Sequence, residues 1–138
     1  MPQELIFAPM GALALLTFTV LGLIPARRFR AAFAGLVKAD DFKFGESAAV
    51  PGHVSIPNRN YMNLLELPLL FYVGCVILYV IKAVDAPAVA LAWAYVALRV
   101  GHSAVHLTDN NVFHRLGFFA ASCVVLAVLW ILIVLRLA

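Results

Sequence analysis

The stretch LGFFAASCVVLAVLWILIVL, residues 116–135, decides the fold of this chain. It contains no Asp, Glu, Lys, Arg or His, and it is as long as the run of about 20 apolar residues that an α-helix needs to cross a bilayer. The whole chain follows the same trend, because 64% of its 138 residues are hydrophobic and 12% are charged, with a mean hydropathy of +0.99. A small water-soluble domain has too little interior to bury so much apolar surface. We therefore predict an integral membrane protein in contact with membrane lipid.

Three further stretches are long and apolar enough to span a membrane, at about residues 5–24, 64–81 and 87–107. These runs are continuously apolar and do not alternate with polar residues, which favours helices over a β-barrel. The first run lacks a basic leading segment and is followed by Arg27 and Arg28, so we expect a retained helix and not a cleaved signal. The prediction is an all-α membrane protein, a single domain over 1–138, with four helices in an up-down antiparallel bundle.

The distribution of Lys and Arg predicts the orientation of the bundle. The first connection, about residues 26–61, carries six basic residues: Arg27, Arg28, Arg30, Lys38, Lys43 and Arg59. The third connection carries Arg115, whereas the opposite side has only Lys82 and Arg136. Basic residues accumulate in cytoplasmic loops. We therefore expect this long loop to be cytoplasmic and both termini to lie outside.

Individual residue types give further predictions for the first connection, the third helix and the two cysteines. We predict that residues 27–38 continue the first helix with a basic face, whereas the Gly and Pro residues between 40 and 58 indicate irregular loop. Pro87 suits the first position of the third helix. Cys75 and Cys123 lie within spans, where small apolar core residues are the simplest interpretation and a disulfide is not expected.

Ionisable residues inside membrane segments are costly, and they mark candidate sites. Those of the second and third spans repeat at helical spacing and share a face within each helix: Arg59, Asn63, Glu66; Arg99, His102, His106. Together with Arg27 and Arg115 they could meet in one cavity open to the cytoplasm. Such a basic cavity suits an anionic ligand. The alternatives are a structural Glu66–Arg99 ion pair and arginines that reach lipid headgroups.

Other site chemistries have little support in the sequence. There is no zinc-protease motif, no Cys pair at metal spacing and no Gly-rich phosphate loop. His102 and His106 are four residues apart, a spacing that can bind a metal, but no third ligand is evident. The low content of basic residues argues against nucleic-acid binding. We therefore predict neither a metal site nor a nucleic-acid partner.

The same residues resemble the MAPEG family, the membrane-associated proteins of eicosanoid and glutathione metabolism. Residues 59–68, RNYMNLLELP, look like the family's R-x-x-x-N-x-x-E-x-x-P signature, with the proline two residues after the glutamate as in many bacterial members. Residues 98–108, LRVGHSAVHLT, followed by Asn111, His114 and Arg115, look like the bacterial form of its third-span signature. The resemblance covers nearly the whole chain.

The resemblance implies a homotrimer, in a bacterial inner membrane, with glutathione sites between subunits near the cytoplasmic side. It implies that glutathione is contacted by seven residues: Arg27 (or its neighbour Arg28), Arg59, Asn63, Glu66, Arg99, His102 and His106. Arg115 matches the arginine proposed to stabilise the glutathione thiolate. The implied activity is that of a glutathione transferase or peroxidase acting on an apolar small-molecule substrate.

Three positions depart from the prostaglandin synthase branch of that family and argue against eicosanoid synthesis. Met62 stands where that branch has an additional Arg, and His106 and Phe119 stand where Tyr is found. Two other functions stay open from the sequence. One is a non-catalytic membrane module that binds an anionic lipid or a partner in the same basic cavity. The other is a proton- or ion-coupled carrier, although the spans show neither a broken pair nor an inverted repeat.

Overall fold

The computed structural model describes residues 1–138 and contains helices and no β-strand. After a 3-10 turn at Gln3–Ile6, the helices are α1 (Phe7–Phe33), α2 (Gly52–Leu65), α3 (Leu67–Val80), α4 (Ala86–Leu107) and α5 (Val112–Leu137). Four helical stretches are long and apolar enough to cross a membrane, with α2 and α3 forming one of them. The prediction of an all-helical protein with four such helices is confirmed.

The second stretch is interrupted at Glu66, whose backbone has φ −80° and ψ −87° and belongs to neither helix. The cause is Pro68, which has no N–H to donate and whose ring would clash with the carbonyl of Leu64. Pro68 therefore lies in the first turn of a new helix. The break places the Glu66 side chain at the junction of α2 and α3.

Two boundaries differ from those predicted. The predicted continuation of the first helix over residues 27–38 is confirmed as far as Phe33, where α1 ends, and is wrong for residues 34–38; the helix includes Pro25. It ends where Gly35 adopts φ +72°, and the amides of Leu36 and Gly35 bond to the carbonyls of Ala31 and Ala32. This left-handed termination favours glycine.

The prediction of irregular loop for 40–58 is wrong for residues 52–58, which form the start of α2. That part of α2 is polar, so the apolar runs of the sequence did not predict it. Pro57 lies inside this helix, although proline in the sequence had favoured loop.

Side-chain caps fix the starts of the last two helices. The Asp85 carboxylate accepts a hydrogen bond from the amide of Ala88 at 3.0 Å, and Pro87 occupies the second position of α4, where its missing N–H costs nothing. The Asn111 side chain accepts from the amides of Phe113 and His114. Helix α5 therefore begins before its apolar run, and Arg115 lies in its first turn instead of preceding the span as predicted.

The core of the bundle combines aromatic and small residues. Phe71 of α3 stacks on Tyr95 of α4 with ring centroids 4.8 Å apart, and both side chains are fully buried. Gly101 of α4 faces Phe118 of α5, and a Cβ at Gly101 would lie 2.5 Å from Phe118 Cε1. Small residues at helix contacts allow the close approach that drives association in lipid, where van der Waals packing replaces the hydrophobic effect.

The outer faces of the helices are apolar. Large side chains such as Leu15, Phe18 and Leu135 are each about 70% exposed (69%, 69% and 73%). In water such a surface would drive aggregation. In a bilayer it contacts lipid, consistent with an integral membrane protein. Cys75 is buried, Cys123 is half-buried, and both are free thiols.

Contacts between elements define the two ends of the bundle. At one end the Gln3 side chain bonds to the backbone of Val84, and Arg136 bonds to the carboxylate of Asp85. Both chain termini and the α3–α4 connection therefore lie together. At the other end Arg27 bonds to the carbonyl of Leu107, which joins the last part of α1 to the end of α4.

Candidate functional site

An open cavity of about 470 Å³ lies between α2, α4 and α5, at the end of the bundle where α4 ends and α5 begins. Ten residues line it: Arg59, Met62, Asn63, Glu66, His102, His106, Val112, Arg115, Leu116 and Phe119. The structure thus brings together six of the eight predicted site residues. Arg27 and Arg99 do not line this cavity.

The α2 wall carries the predicted triplet. Arg59, Asn63 and Glu66 follow one another at spacings of four and three, so their side chains project from one side of the helix. Arg59 and Glu66 are exposed and Asn63 is half-buried. Neither Arg59 nor Glu66 forms an ion pair or a side-chain hydrogen bond within the chain, so both are free to bind a ligand.

Helix α2 is held against α4 beneath this face. The Ser103 hydroxyl donates to Asn60 Oδ1 at 3.2 Å, and both side chains are buried. The Asn60 Nδ2 amide has no hydrogen-bond partner. This link fixes the position of the α2 triplet relative to the cavity-lining face of α4.

The α4 wall consists of His102 and His106, one turn apart with ring centroids separated by 5.7 Å. Both side chains are 3% exposed, and the Nδ1 atom of each is buried without a partner. Both residues line the cavity, whereas these two Nδ1 atoms lie on the buried side of the rings. No group of three His, Cys, Asp or Glu side chains is placed to hold a metal ion.

The α5 wall carries Arg115, which is positioned by its own connection. Its Nη1 donates to Asn110 Oδ1 at 2.7 Å, and Asn110 adopts φ +53° in the tight turn between α4 and α5. Asn111 caps the same helix. The guanidinium is therefore held at the cavity wall by a short polar turn, which reduces its conformational freedom before any ligand binds.

Arg99 lies behind the cavity and is completely buried. Its Nε donates to the Tyr95 hydroxyl at 3.1 Å, while Nη1 and Nη2 have no acceptor. The Tyr95 and Phe119 rings each lie 5.4 Å from its Cζ. The alternative of a Glu66–Arg99 ion pair is absent from the structure. A charged residue within a membrane span costs about 2.5–3.5 kcal/mol, and the two rings offset part of that cost.

Arg27 does not line the cavity and instead forms hydrogen bonds between helices. Its guanidinium donates to the carbonyls of His53 at 3.0 Å and Leu107 at 3.2 Å, joining α1 to the start of α2 and the end of α4. Arg28, the competing candidate, pairs with Glu46 at 2.9 Å and lies over the Phe42 ring. In a single chain, neither arginine reaches the cavity that holds Arg59 and Arg115.

The sequence did not identify the apolar half of the cavity. Met62, Val112, Leu116 and Phe119 provide it. Met62 and Phe119 were noted only as departures from a family pattern, and nothing distinguishes Val112 or Leu116 from other apolar residues of α5. The cavity thus offers two arginines, one carboxylate, an amide and two imidazoles beside an apolar wall. This arrangement suits one polar and one apolar ligand.

Comparison with known proteins identifies the family of this chain. The model of the MAPEG family matches residues 6–135. Searches of curated proteins and of solved structures gave no match. The family match includes all four candidate membrane spans except the outermost residues of the first and last. Because it covers nearly the whole chain, the protein belongs to the MAPEG family, a membrane family of glutathione and eicosanoid metabolism.

Proposed function

We propose that this protein is a glutathione transferase or peroxidase that activates the glutathione thiol against apolar electrophiles or lipid peroxides. The observation that carries the proposal is the convergence of Arg59, Asn63, Glu66 and Arg115 on one open cavity. Family membership supports glutathione as the co-substrate. The activity itself follows from what these side chains can do together.

The polar wall complements glutathione group by group. Glutathione carries two carboxylates and one ammonium group, so it needs cations for the former and an anion for the latter. Arg59 offers a planar guanidinium that can bind a carboxylate through two parallel hydrogen bonds. Glu66 can accept from the ammonium group, and the Asn63 amide can bond to the peptide backbone of the ligand. His102 and His106 line the α4 side of the same cavity.

Arg115 is the residue that we place beside the glutathione thiol. A cation beside a thiol favours the thiolate, the nucleophilic form, by lowering a pKa that is about 8.5 in free cysteine. The sulfur then attacks an electrophilic carbon, forming a C–S bond as the leaving group departs with the bonding electrons. With a hydroperoxide, the sulfur instead takes the terminal oxygen and the substrate leaves as an alcohol. A second glutathione then displaces water from the sulfenic acid to form the disulfide.

The apolar wall accounts for the second substrate. Met62, Val112, Leu116 and Phe119 line the cavity beside the polar groups. The outer faces of the helices contact lipid, where apolar electrophiles and oxidised lipids concentrate. A cavity with one polar and one apolar wall brings a water-soluble thiol and a lipid-soluble electrophile together.

We further propose an up-down antiparallel bundle that assembles as a homotrimer in a bacterial inner membrane, with both termini outside and the cavity on the cytoplasmic side. The shared position of the termini and the α3–α4 connection supports the topology, and the basic first loop supports the orientation. Arg27 lies outside the cavity of its own chain. A role for Arg27 in binding glutathione therefore needs a neighbouring subunit, as a site between subunits would provide.

The test is glutathione binding to the purified protein in detergent, measured by calorimetry. We expect binding by the wild type, and a loss of about tenfold or more in affinity for Arg59→Gln, since a charge-assisted hydrogen bond contributes about 1.5–3 kcal/mol. Lys43→Gln removes the same charge from an exposed loop residue and should bind as the wild type does. If the wild type binds no glutathione but carries an anionic lipid through purification, the protein is the non-catalytic lipid-binding module instead.

A further inference from the structure

We propose that the last turns of α1 and the loop that follows it form a binding site for one anionic phospholipid. The site is a second cavity of about 470 Å³ between residues 24–32 of α1 and residues 37–42, and we call it the α1 groove. It shares no lining residue with the cavity between α2, α4 and α5. The lipid site therefore does not depend on the proposed glutathione-dependent activity.

The α1 groove lies at the depth of the lipid headgroups. Gln3 and Arg136 bond to the α3–α4 connection and mark one membrane interface. Helix α1 has 27 residues and is about 40 Å long, whereas the hydrocarbon core of a bilayer is about 30 Å thick. The last turns of α1 therefore extend beyond the hydrocarbon core. Phe29 and Phe33 are 64% and 90% exposed there, as apolar side chains that insert into a membrane interface would be.

The lining of the α1 groove is mostly apolar on both sides. Ile24, Pro25 and Phe29 provide the α1 side, and Val37 and Phe42 provide the loop side. The volume is within the range of about 300–1,000 Å³ that is common for small-molecule sites. Two apolar walls bind an acyl chain, whereas a soluble anion gains nothing from them. The lining therefore favours a lipid.

Two cations border the same groove. Arg28 and Lys38 line it, one from each side, and no carboxylate does. Arg28 donates from Nη2 to Glu46 at 2.9 Å, but its Nη1 forms no hydrogen bond within the chain, and Lys38 forms no ion pair. The Asp41 carboxylate accepts from the backbone amide of Lys38 and from the Ser47 hydroxyl. The two cations therefore have free donors for a phosphate group, which binds such groups through charge-assisted hydrogen bonds.

The order of residues along α1 matches the order of groups in a phospholipid. Ile24 comes one turn before Arg28, about 6 Å nearer the membrane centre. An acyl chain beside Ile24 thus continues to a phosphate beside Arg28. The guanidinium is already held, because its Cζ lies 4.5 Å from the centre of the Phe42 ring and its Nη2 pairs with Glu46. A group that is held before the ligand arrives loses less conformational freedom on binding.

The test is lipid binding to the delipidated protein in detergent, measured by native mass spectrometry. Dioleoylphosphatidylglycerol is the anionic lipid, and dioleoylphosphatidylcholine is the zwitterionic comparison. The wild type should bind the anionic lipid about tenfold more tightly, as one charge-assisted hydrogen bond provides. Arg28→Gln should remove most of this preference and Lys38→Gln should reduce it. Equal affinity for the two lipids in the wild type overturns the proposal.

Two matched variants locate the lipid. Arg30 lies on the same helix as Arg28 but does not line the α1 groove, so Arg30→Gln should keep the preference. An equal loss in Arg28→Gln and Arg30→Gln would show that the net charge of the loop attracts the lipid without a defined site. Arg59→Gln should also keep the preference. A loss in that variant would place the lipid in the cavity between α2, α4 and α5 and would overturn the α1 groove as its site.

Glu46→Gln separates lipid binding from the contact between α1 and its loop. The variant breaks the ion pair and keeps Arg28, so the anionic lipid should bind at least as tightly as to the wild type. A loss of preference as large as that in Arg28→Gln would mean that Arg28 only holds the loop, and the proposal would fail.

Ala32→Leu tests the shape of the α1 groove without a change of charge. Ala32 lines the groove, so the larger side chain should lower the affinity for phosphatidylglycerol several-fold. Ala26→Leu, the same change on α1 outside the groove, should bind as the wild type does. Unchanged binding in Ala32→Leu contradicts the placement of the acyl chain. Glycerol 3-phosphate at the same concentration should not displace the lipid, and displacement would assign the site to a soluble anion instead.

Discussion

Polar groups at the two ends of the bundle differ in whether they have hydrogen-bond or ion-pair partners within the chain. At the end that holds the chain termini, Arg136 pairs with Asp85, and the Gln3 amide bonds to both backbone groups of Val84. At the cavity end, Arg59 and Glu66 have no intramolecular partner, and the terminal nitrogens of Arg99 are buried without an acceptor. At the first end the polar groups join elements of the bundle to one another, whereas at the second end several polar groups line the cavity without a partner in the chain.

This difference separates structural from functional polar residues in a chain where both are scarce. Groups that satisfy one another contribute to stability and leave fewer donors and acceptors for a ligand. Groups that stay unsatisfied at the wall of a cavity cost stability, which is the usual signature of residues kept for binding or catalysis. The comparison therefore predicts that changes at the cavity end affect activity, whereas changes at the terminal end affect stability.

The largest expected effect is that of Arg115→Gln on turnover. Removing the cation beside the sulfur should lower kcat/KM for a general electrophile by about a hundredfold, the scale seen when one charge-stabilising donor is removed. Glutathione affinity should fall much less, since Arg59 and Glu66 remain. The measurement is steady-state kinetics with glutathione and an aromatic halide. An unchanged kcat/KM would remove Arg115 from the chemistry.

An intermediate effect is expected for Gly101→Ala. A Cβ at this position meets Phe118 Cε1 at 2.5 Å, so α4 and α5 must separate or Phe118 must move, at a cost of about 1–3 kcal/mol. Because Phe119 and Arg115 are on the same helix, glutathione binding should weaken as well. Thermal unfolding in detergent measures the first effect and calorimetry the second.

The matched control is Gly117→Ala on α5. A Cβ there would meet nothing within 4 Å, and alanine favours a helix over glycine by up to about 1 kcal/mol. The melting temperature of this variant should stay the same or rise. If Gly101→Ala proves equally harmless, the close contact of α4 with α5 does not determine the shape of the cavity.

The smallest effect is expected at the terminal end, for Asp85→Asn. The hydrogen bond from Arg136 holds the pKa of the Asp85 carboxyl below its usual range. The pair therefore contributes fully above the unfolded pKa of about 3.9, and its contribution is lost as pH falls through the lower folded value. Asparagine caps a helix about as well as aspartate, so this variant removes the ion pair and keeps the cap of α4.

We expect Asp85→Asn to lower the melting temperature slightly near neutral pH, as exposed ion pairs contribute about 0–1 kcal/mol. The difference from the wild type should shrink as the pH is lowered toward the pKa of the carboxyl. Glutathione binding should be unchanged. A loss of binding in this variant would show that the two ends are coupled and would contradict the division between them.

The sequence predicted the parts of this molecule that depend on local composition. Continuous apolar runs identified the four spans because a bilayer demands length and hydrophobicity in one segment. The spacing of Arg59, Asn63 and Glu66 placed them on one face, since helical periodicity alone decides that. The same reasoning missed the start of α2 at Gly52, because this part of the helix is too polar to appear in a search for spans.

The positions of Arg27 and Arg99 could not be predicted, because they depend on how whole helices rotate against one another. Arg99 shares a helical face with His102, yet the approach of α5 places Phe119 over it. Arg27 follows the extension of α1 and bonds to the carbonyls of His53 and Leu107. Helix spacing predicts which residues are neighbours on one helix, whereas packing decides which of them face a cavity.

Binding of glutathione in the cavity as a thiolate beside Arg115 is the central proposal for this protein. The most direct measurement is a pH titration of thiolate absorbance for glutathione bound to the wild-type protein, compared with free glutathione and with Arg115→Gln. We predict that the bound thiol ionises at a lower pH than the free thiol, and that the shift disappears in Arg115→Gln while glutathione still binds. A bound thiol that titrates as free glutathione does in both proteins would contradict it.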